Sequence, residues 1–285
     1  MTEQSASRTA VIVCQGRAVA HERIAKGRFA DPTALPLLRP DEQEQVFRVR
    51  SESPPKGMSE RMTYEMIKAG ATLLVPRTLA IDDAVTEHDA PQVVILGAGL
   101  DGRAWRLPAL SGKTTFEVDQ PASQREKRDR ATALPAERAP RYVPVDFGQD
   151  KLSDALAEAG HDATIPTTWV WEGVVPYLTP DEVETTVAEV AARSAPHSRL
   201  IVNYQAPSVT GAVVRRLLGP VLKHNPWAAE PWRSAWSPEE MAGLLARHGF
   251  TVRADNDLLT TAAALDMPSG VRSSQRNGRL AVAEN

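Results

Sequence analysis

Cys14 is the chain's single cysteine, which rules out an intrachain disulfide and a cysteine-based metal cluster. Long apolar runs are missing too. The longest near the start, Ala10–Cys14, is too brief for a signal core, and no stretch approaches the length that crosses a bilayer. Lysine and arginine are nowhere dense and the formal net charge is only −3, so neither nucleic acid nor an acidic membrane surface is an expected partner. With no membrane partner expected, a reducing cytoplasm is the default location. No two histidines have metal-ligand spacing, so no metal is expected. What the chain does have is length and core: 285 residues with 42% hydrophobic side chains, enough for one large α/β domain with an appendage or for two small domains.

From about residue 90 the pattern turns regular. Val93–Leu96 is an apolar run ending at glycine, the form of a buried parallel strand. Thr114–Val118, Tyr142–Val145, Thr168–Trp171, Leu200–Tyr204, Phe250–Arg253 and Arg279–Ala283 read as further strands. Two helix starts are marked by the same device, a capping hydroxyl, a proline and a glutamate three residues on: Thr179-Pro180-Asp181-Glu182 and Ser237-Pro238-Glu239-Glu240. Val183, Val187, Val190 and Ala191 then share one helix face, and Met241, Leu244 and Leu245 another. Strands alternating with helices predict a doubly wound, mostly parallel sheet. Pro144 cannot donate to a ladder and predicts an edge position for its strand. After Gly249 two strands follow with no clear helix between them, so the last pair is expected to be antiparallel.

Two regions break the rhythm. Residues 1–90 read as a helical lid segment, set apart from a ligand-binding domain over 91–285. A stretch of about 206–236 lies between a strand and a helix and reads as an inserted cap; it carries His224, Trp227 and Trp232.

Gly97-Ala98-Gly99-Leu100-Asp101-Gly102 matches the G-x-G-x-x-G turn of nucleotide-binding sheets. Alone it indicates only a tight strand-to-helix turn. Asp119, at the end of the next strand and twenty residues after Gly99, adds a carboxylate placed to accept both hydroxyls of an adenosine ribose. The ligand is then a dinucleotide or S-adenosyl-L-methionine. Asp101 falls where a dinucleotide would set its pyrophosphate, Asp146-Phe147 closes the third strand, and Trp171-Glu172-Gly173 closes the fourth. Acids gathered there suit a cation-bearing ligand and repel phosphate.

These segments also resemble a known family. VVILGAGLDGRAWRL, FEVDQP, VPVDF and WVWEGVVPYLTPDEV are similar, in order and spacing, to successive motifs of the leucine carboxyl methyltransferase-like enzymes. The resemblance runs from about Ala18 to Gly249 and is densest over residues 93–180. It implies a Rossmann-like class I methyltransferase whose seven strands run in the order 3-2-1-4-5-7-6. It also implies S-adenosyl-L-methionine as cofactor, with Gly97 and Gly99 under its methionine part and Asp119 on the ribose. Asp146 and Phe147 would meet the adenine, and Glu172 the methionine amine. Arg61, in Ser59-Glu60-Arg61-Met62, resembles the family arginine that pairs with the cofactor carboxylate; the alternative is a solvated helix arginine.

The acceptor is expected to be a carboxylate of a small natural product or of a peptide end. Such a group is already ionised and needs no general base, which fits the lack of an evident catalytic acid or base. A phenolic hydroxyl is the alternative acceptor, and a nicotinamide-dependent oxidoreductase the alternative enzyme, though no Tyr-x-x-x-Lys dyad accompanies the glycine turn. Tyr177, Tyr204, His224 and Trp232 are the residues expected to line the substrate space. His88, His161 and His197 read as solvated loop residues.

Overall fold

In a computed structural model the described residues are 8–147, 149–207, 232–267 and 272–285. Three helices come first: α1 (Arg8–Ala20), α2 (Pro40–Arg50) and the 29-residue α3 (Met58–Thr86). Then strand and helix alternate. β1 (Gln92–Leu96) leads through the glycine turn to a single helical turn, α4 (Arg103–Arg106). β2 (Thr114–Asp119), α5 (Pro121–Arg130), β3 (Arg141–Pro144), α6 (Leu152–Glu158) and β4 (Thr167–Trp171) follow. Next are α7 (Pro180–Ala192), β5 (Arg199–Gln205), α8 (Pro238–Arg247) and β6 (Thr251–Asp257). Two short helices, α9 (Leu258–Ala264) and α10 (Arg272–Asn277), precede β7 (Gly278–Glu284).

The seven strands form one sheet in the order β3-β2-β1-β4-β5-β7-β6, all parallel except β7, which runs antiparallel to both neighbours. Pro144 ends the edge strand β3, as its missing N–H requires. The strand order reverses between β1 and β4, and ligands of such sheets bind where the carboxyl ends of those strands part.

The four central strands, β2, β1, β4 and β5, are buried on both faces. Val94, Leu96, Phe116, Val118, Trp169 and Trp171 meet Val183, Val187 and Val190 of α7 and Met241, Leu244 and Leu245 of α8. Val93, Ile95, Val170 and Ile201 meet Ile81, Ala84 and Val85 of α3. Each such aliphatic side chain contributes about 1.5–3 kcal/mol on burial, and this apolar face, not propensity, holds α7 and α8 in place. Both have the capping boxes read from sequence: Thr179 Oγ1 accepts from Glu182 N, and Ser237 Oγ from Glu240 N, each at 3.2 Å. A third cluster joins α1, α2 and α3 to Leu100, Ala104 and Trp105, so the N-terminal helices share a core with the segment that follows β1.

Two expectations are corrected. Helices do lie between β6 and β7: Asp257 both ends β6 and caps α9, its Oδ1 accepting from Thr260 N at 2.6 Å. Nor are His88 and His161 solvated loop residues. The His88 ring lies 2.7 Å from Thr168 Oγ1 and 2.9 Å from the His197 carbonyl. His161 is buried between Phe116 and Trp169, and burial, with Arg193 beside it, lowers its pKa to about 4. His197 itself is exposed.

Candidate active site at the carboxyl ends of β1, β2 and β4

Gly97 and Gly99 turn the chain out of β1 with φ of +63° and +48°, a region that side chains disfavour. Space demands glycine as well. A Cβ on Gly97 would stand 2.2 Å from Val174 Cγ2, and one on Gly99 would stand 3.1 Å from the Ala10 Cβ of α1. The turn is tied to the next strand through Asp119, whose Oδ2 accepts from Gly99 N at 2.5 Å and whose Oδ1 accepts from Gln120 N at 2.7 Å. Burial raises the Asp119 pKa; the two amides and the charge of Lys127 oppose it.

Behind the turn, four acids and four arginines form one connected set. Glu172, at the end of β4, accepts from Arg77 of α3 at 2.7 Å and from Arg103 of α4 at 2.8 Å. Arg103 also pairs with Asp101 and, at 2.7 Å, with Asp82 of α3. Arg106 binds Asp82 at 2.6 Å and lies 3.5 Å from Asp31. Arg17 of α1 lies 3.3 Å from Asp31 and donates to the Leu100 carbonyl at 2.5 Å. At Asp101 and Glu172 burial works against the charge, yet the arginines win: Arg103 and then Arg17 hold Asp101 far below the usual range, and Arg103 and Arg77 bring Glu172 to about 2. Asp31 is lowered likewise by Arg17 and Arg106 against its burial.

Several sequence-selected residues do meet here: Gly97, Gly99, Asp101, Asp119 and Glu172. The structure changes what their charge means. Asp101 and Glu172 are bound to arginines, so the acids at this edge do not by themselves call for a cationic ligand. Asp146 and Phe147 follow β3; the Asp146 Oδ2 accepts from Gln149 Nε2 at 2.9 Å, and Phe147 is half-buried against the core. Tyr177 ends the helical turn Val175–Tyr177 just after Glu172 and Gly173, and is half-buried.

Two residues lie elsewhere. Arg61 is 53% exposed on α3 and pairs with Glu65 one turn on, at 3.0 Å, the solvated helix arginine of the alternative reading. Tyr204 is fully buried and donates to Asp255 Oδ2 at 2.5 Å, and Arg279 holds that aspartate at 2.9 Å, so its hydroxyl is engaged across the β5–β7–β6 edge. Trp232 is 52% exposed, where the chain returns along Pro176 through Arg233 N; His224 lies outside the described residues.

Sequence reading missed Arg17, Asp31, Arg77, Asp82, Arg103 and Arg106. A signal existed for two of them: Arg77 and Asp82 stand in a stretch of α3 whose Val75, Leu79 and Ile81 are buried, and charges on a buried face need partners.

A cofactor fits what is here. The Asp119 oxygens each accept one N–H and keep lone pairs for hydroxyls. A Cβ on Gly173, beside Glu172, would meet nothing within 4 Å.

The sheet order, the antiparallel β7 and the glycine turn with its acid at the end of β2 together define the class I methyltransferase fold. A crystal structure of a candidate methyltransferase from Thermobifida fusca shares the fold, with a TM-score of 0.57 at 15% identity over 99% of this chain and 95% of that one. So does a Burkholderia thailandensis 1,6-didemethyltoxoflavin-N1-methyltransferase, with a TM-score of 0.50 at 16% identity over 87% and 91%. The sequence profile of leucine carboxyl methyltransferase matches residues 10–191. A candidate S-adenosyl-L-methionine-dependent methyltransferase of Streptomyces coelicolor is 36% identical over 85% of this chain and 82% of its own length. Another from Mycolicibacterium gilvum is 36% identical over 78% and 74%. This chain belongs to the leucine carboxyl methyltransferase family.

Proposed function

We propose that this protein transfers a methyl group from S-adenosyl-L-methionine to a carboxylate oxygen of a small molecule or of a peptide end. That it is an S-adenosyl-L-methionine-dependent methyltransferase follows from its family and relatives, which replaces the nicotinamide alternative; the carboxylate is the finer step. When bound, the cofactor supplies an activated methyl on a sulfonium for in-line displacement. Asp119 accepts the ribose hydroxyls, Gly97 and Gly99 let the backbone approach the methionine part, and Asp146 and Phe147 flank the adenine. Arg77, beside Glu172, takes the role first given to Arg61: its guanidinium suits the cofactor carboxylate while Glu172 receives the ammonium. Residues 1–90 act as the lid, with Tyr177 and Trp232 towards the acceptor; most of the expected cap of about 206–236 lies outside the described residues.

The carrying observation is that, among the described residues, the acids of this site are committed to arginines or backbone amides, while His88 and His161 bond Thr168 and Thr167 at the amino end of β4, away from the glycine turn. Such a site offers positioning rather than a base, which is what an ionised carboxylate needs. The test is chemical. With methyl-labelled cofactor and panels of carboxylic acids and phenols, the label is expected on acids and should be released as methanol by mild base. Label that survives base would mark an ether and overturn the carboxylate reading.

A further inference from the structure

Arg77 and Glu172 receive the two ends of the cofactor's amino acid in the reading above, yet in this structure they are bound to each other. Arg77 Nε donates to Glu172 Oε1 at 2.7 Å, and Glu172 is the one partner of that guanidinium among the described residues. A carboxylate that arrives at Arg77 must therefore take it from Glu172. Glu172 would then swing away from the ammonium it is to meet, unless something else held it.

A second holder is present. Arg103 Nη1 donates to the other oxygen, Glu172 Oε2, at 2.8 Å. Each oxygen of Glu172 thus meets a different guanidinium, one from α3 and one from α4, and each keeps a second lone pair. The two arginines differ in how firmly they stand. Arg103 is gripped from other sides: its Nε donates to Asp82 Oδ1 at 2.7 Å, its Nη1 also reaches Asp101 Oδ2, and its backbone N donates to Asp101 Oδ1 at 2.6 Å. Asp82 is fixed in turn by Arg106 Nη1 at 2.6 Å. Exposure follows the same division. The side chains of Arg77 and Glu172 are 15% and 14% exposed, that of Arg103 only 1%, so a ligand at the end of β4 reaches the first two and not the third.

We propose that Arg103 is a positioning residue for the cofactor's ammonium, holding the Glu172 carboxylate in place while Arg77 turns from Glu172 to the cofactor carboxylate. This rests on the reading of Glu172 as ammonium acceptor. Arg77 is the partner that exchanges and Arg103 the one that stays. The amino-acid end is then received as a zwitterion, and neither Arg77 nor Glu172 is left as an unpaired buried charge. The work suits an arginine, whose rigid fork of donors can meet three carboxylates at once where a lysine ammonium is a single point of charge.

The experiment is calorimetric binding of three ligands: S-adenosylhomocysteine, its decarboxylated analogue, which keeps the amine, and methylthioadenosine, which lacks both groups. Arg103→Lys keeps a cation and loses the fork. It is expected to weaken the two amine-bearing ligands about tenfold each, the scale of one hydrogen bond to a charged group, and to leave methylthioadenosine within about twofold of wild type. Arg77→Ala should weaken S-adenosylhomocysteine alone; an equal loss of the decarboxylated analogue would make Arg77 the holder of Glu172 and overturn the proposal. Glu172→Gln should weaken both amine-bearing ligands at least about tenfold, and adding Arg103→Lys to it should cost nothing more. An Arg103→Lys loss that is equal for all three ligands, or that adds fully to Glu172→Gln, would mean that Arg103 acts by shaping the glycine turn, and the proposal would fall. Unchanged affinity of Arg103→Lys for the amine-bearing ligands would sink it too. Wild-type binding of S-adenosylhomocysteine by Glu172→Gln would instead remove the ammonium reading, and the proposal with it. If Arg103→Lys does not fold, Glu172→Asp keeps the charge and draws the carboxylate back from Arg103 by one methylene. The same selective loss is expected there, and wild-type affinity for the amine-bearing ligands would overturn the assignment.

Discussion

Where β1 and β4 end, charges from α1, the loop after it, α3, α4 and the two strand ends meet in one buried set, whereas the β5–β7–β6 edge is closed by Tyr204 with Asp255 and Arg279 and by Glu284 with Arg199 and Arg253. At the edge these side chains lie on three neighbouring strands and brace the antiparallel ladder. At the site the partners are far apart in sequence, Arg77 and Glu172 by 95 residues. Arg17, Arg77 and Asp82 thereby tie α1 and α3 to α4, the glycine turn and the end of β4.

Arg103→Met should break this comparison most severely. It strips partners from Asp82, Asp101 and Glu172 together, and removing one member of a buried ion network costs about 3–5 kcal/mol. Urea unfolding should show that loss, with the cooperative transition at far lower denaturant. Tyr204→Phe removes one hydrogen bond to a charged group, and about 1–3 kcal/mol is expected in the same assay. Affinity for S-adenosylhomocysteine should stay as in the wild type; a tenfold loss would return Tyr204 to the site. The smallest effect belongs to Arg61→Ala. An exposed pair within α3 contributes at most about 0.5 kcal/mol, and cofactor affinity should not move. Arg77→Ala, sixteen positions along the same helix, is expected to weaken that affinity at least about tenfold, roughly 1.4 kcal/mol.

The same contrast separates what the sequence disclosed from what it withheld. Local signals were legible: the apolar runs of β1 and β4, the two capping boxes, the edge position of Pro144, and the glycines with Asp119 after the next strand. Long-range pairing was not. No local pattern says that Glu172 is matched by Arg77 and Arg103, so an acid looked uncompensated that is not. His161 reads as a loop residue because Gly160 and Asp162 flank it, yet its ring fills the gap between Phe116 and Trp169. α9 escaped notice because seven residues, two of them threonine, give too little periodicity, and its cap Asp257 also ends a strand.

Gly102 carries a last consequence. A Cβ there would fall 1.9 Å from Thr33 Oγ1, the hydroxyl that donates to Asp31 at 2.6 Å. Thr33 thus occupies the volume that a side chain at 102 would claim, and the two positions behave as one coupled coordinate. A larger residue can enter the turn only if the Thr33 side chain turns away from Asp31 or is made smaller, so tolerance at 102 is set by the residue at 33.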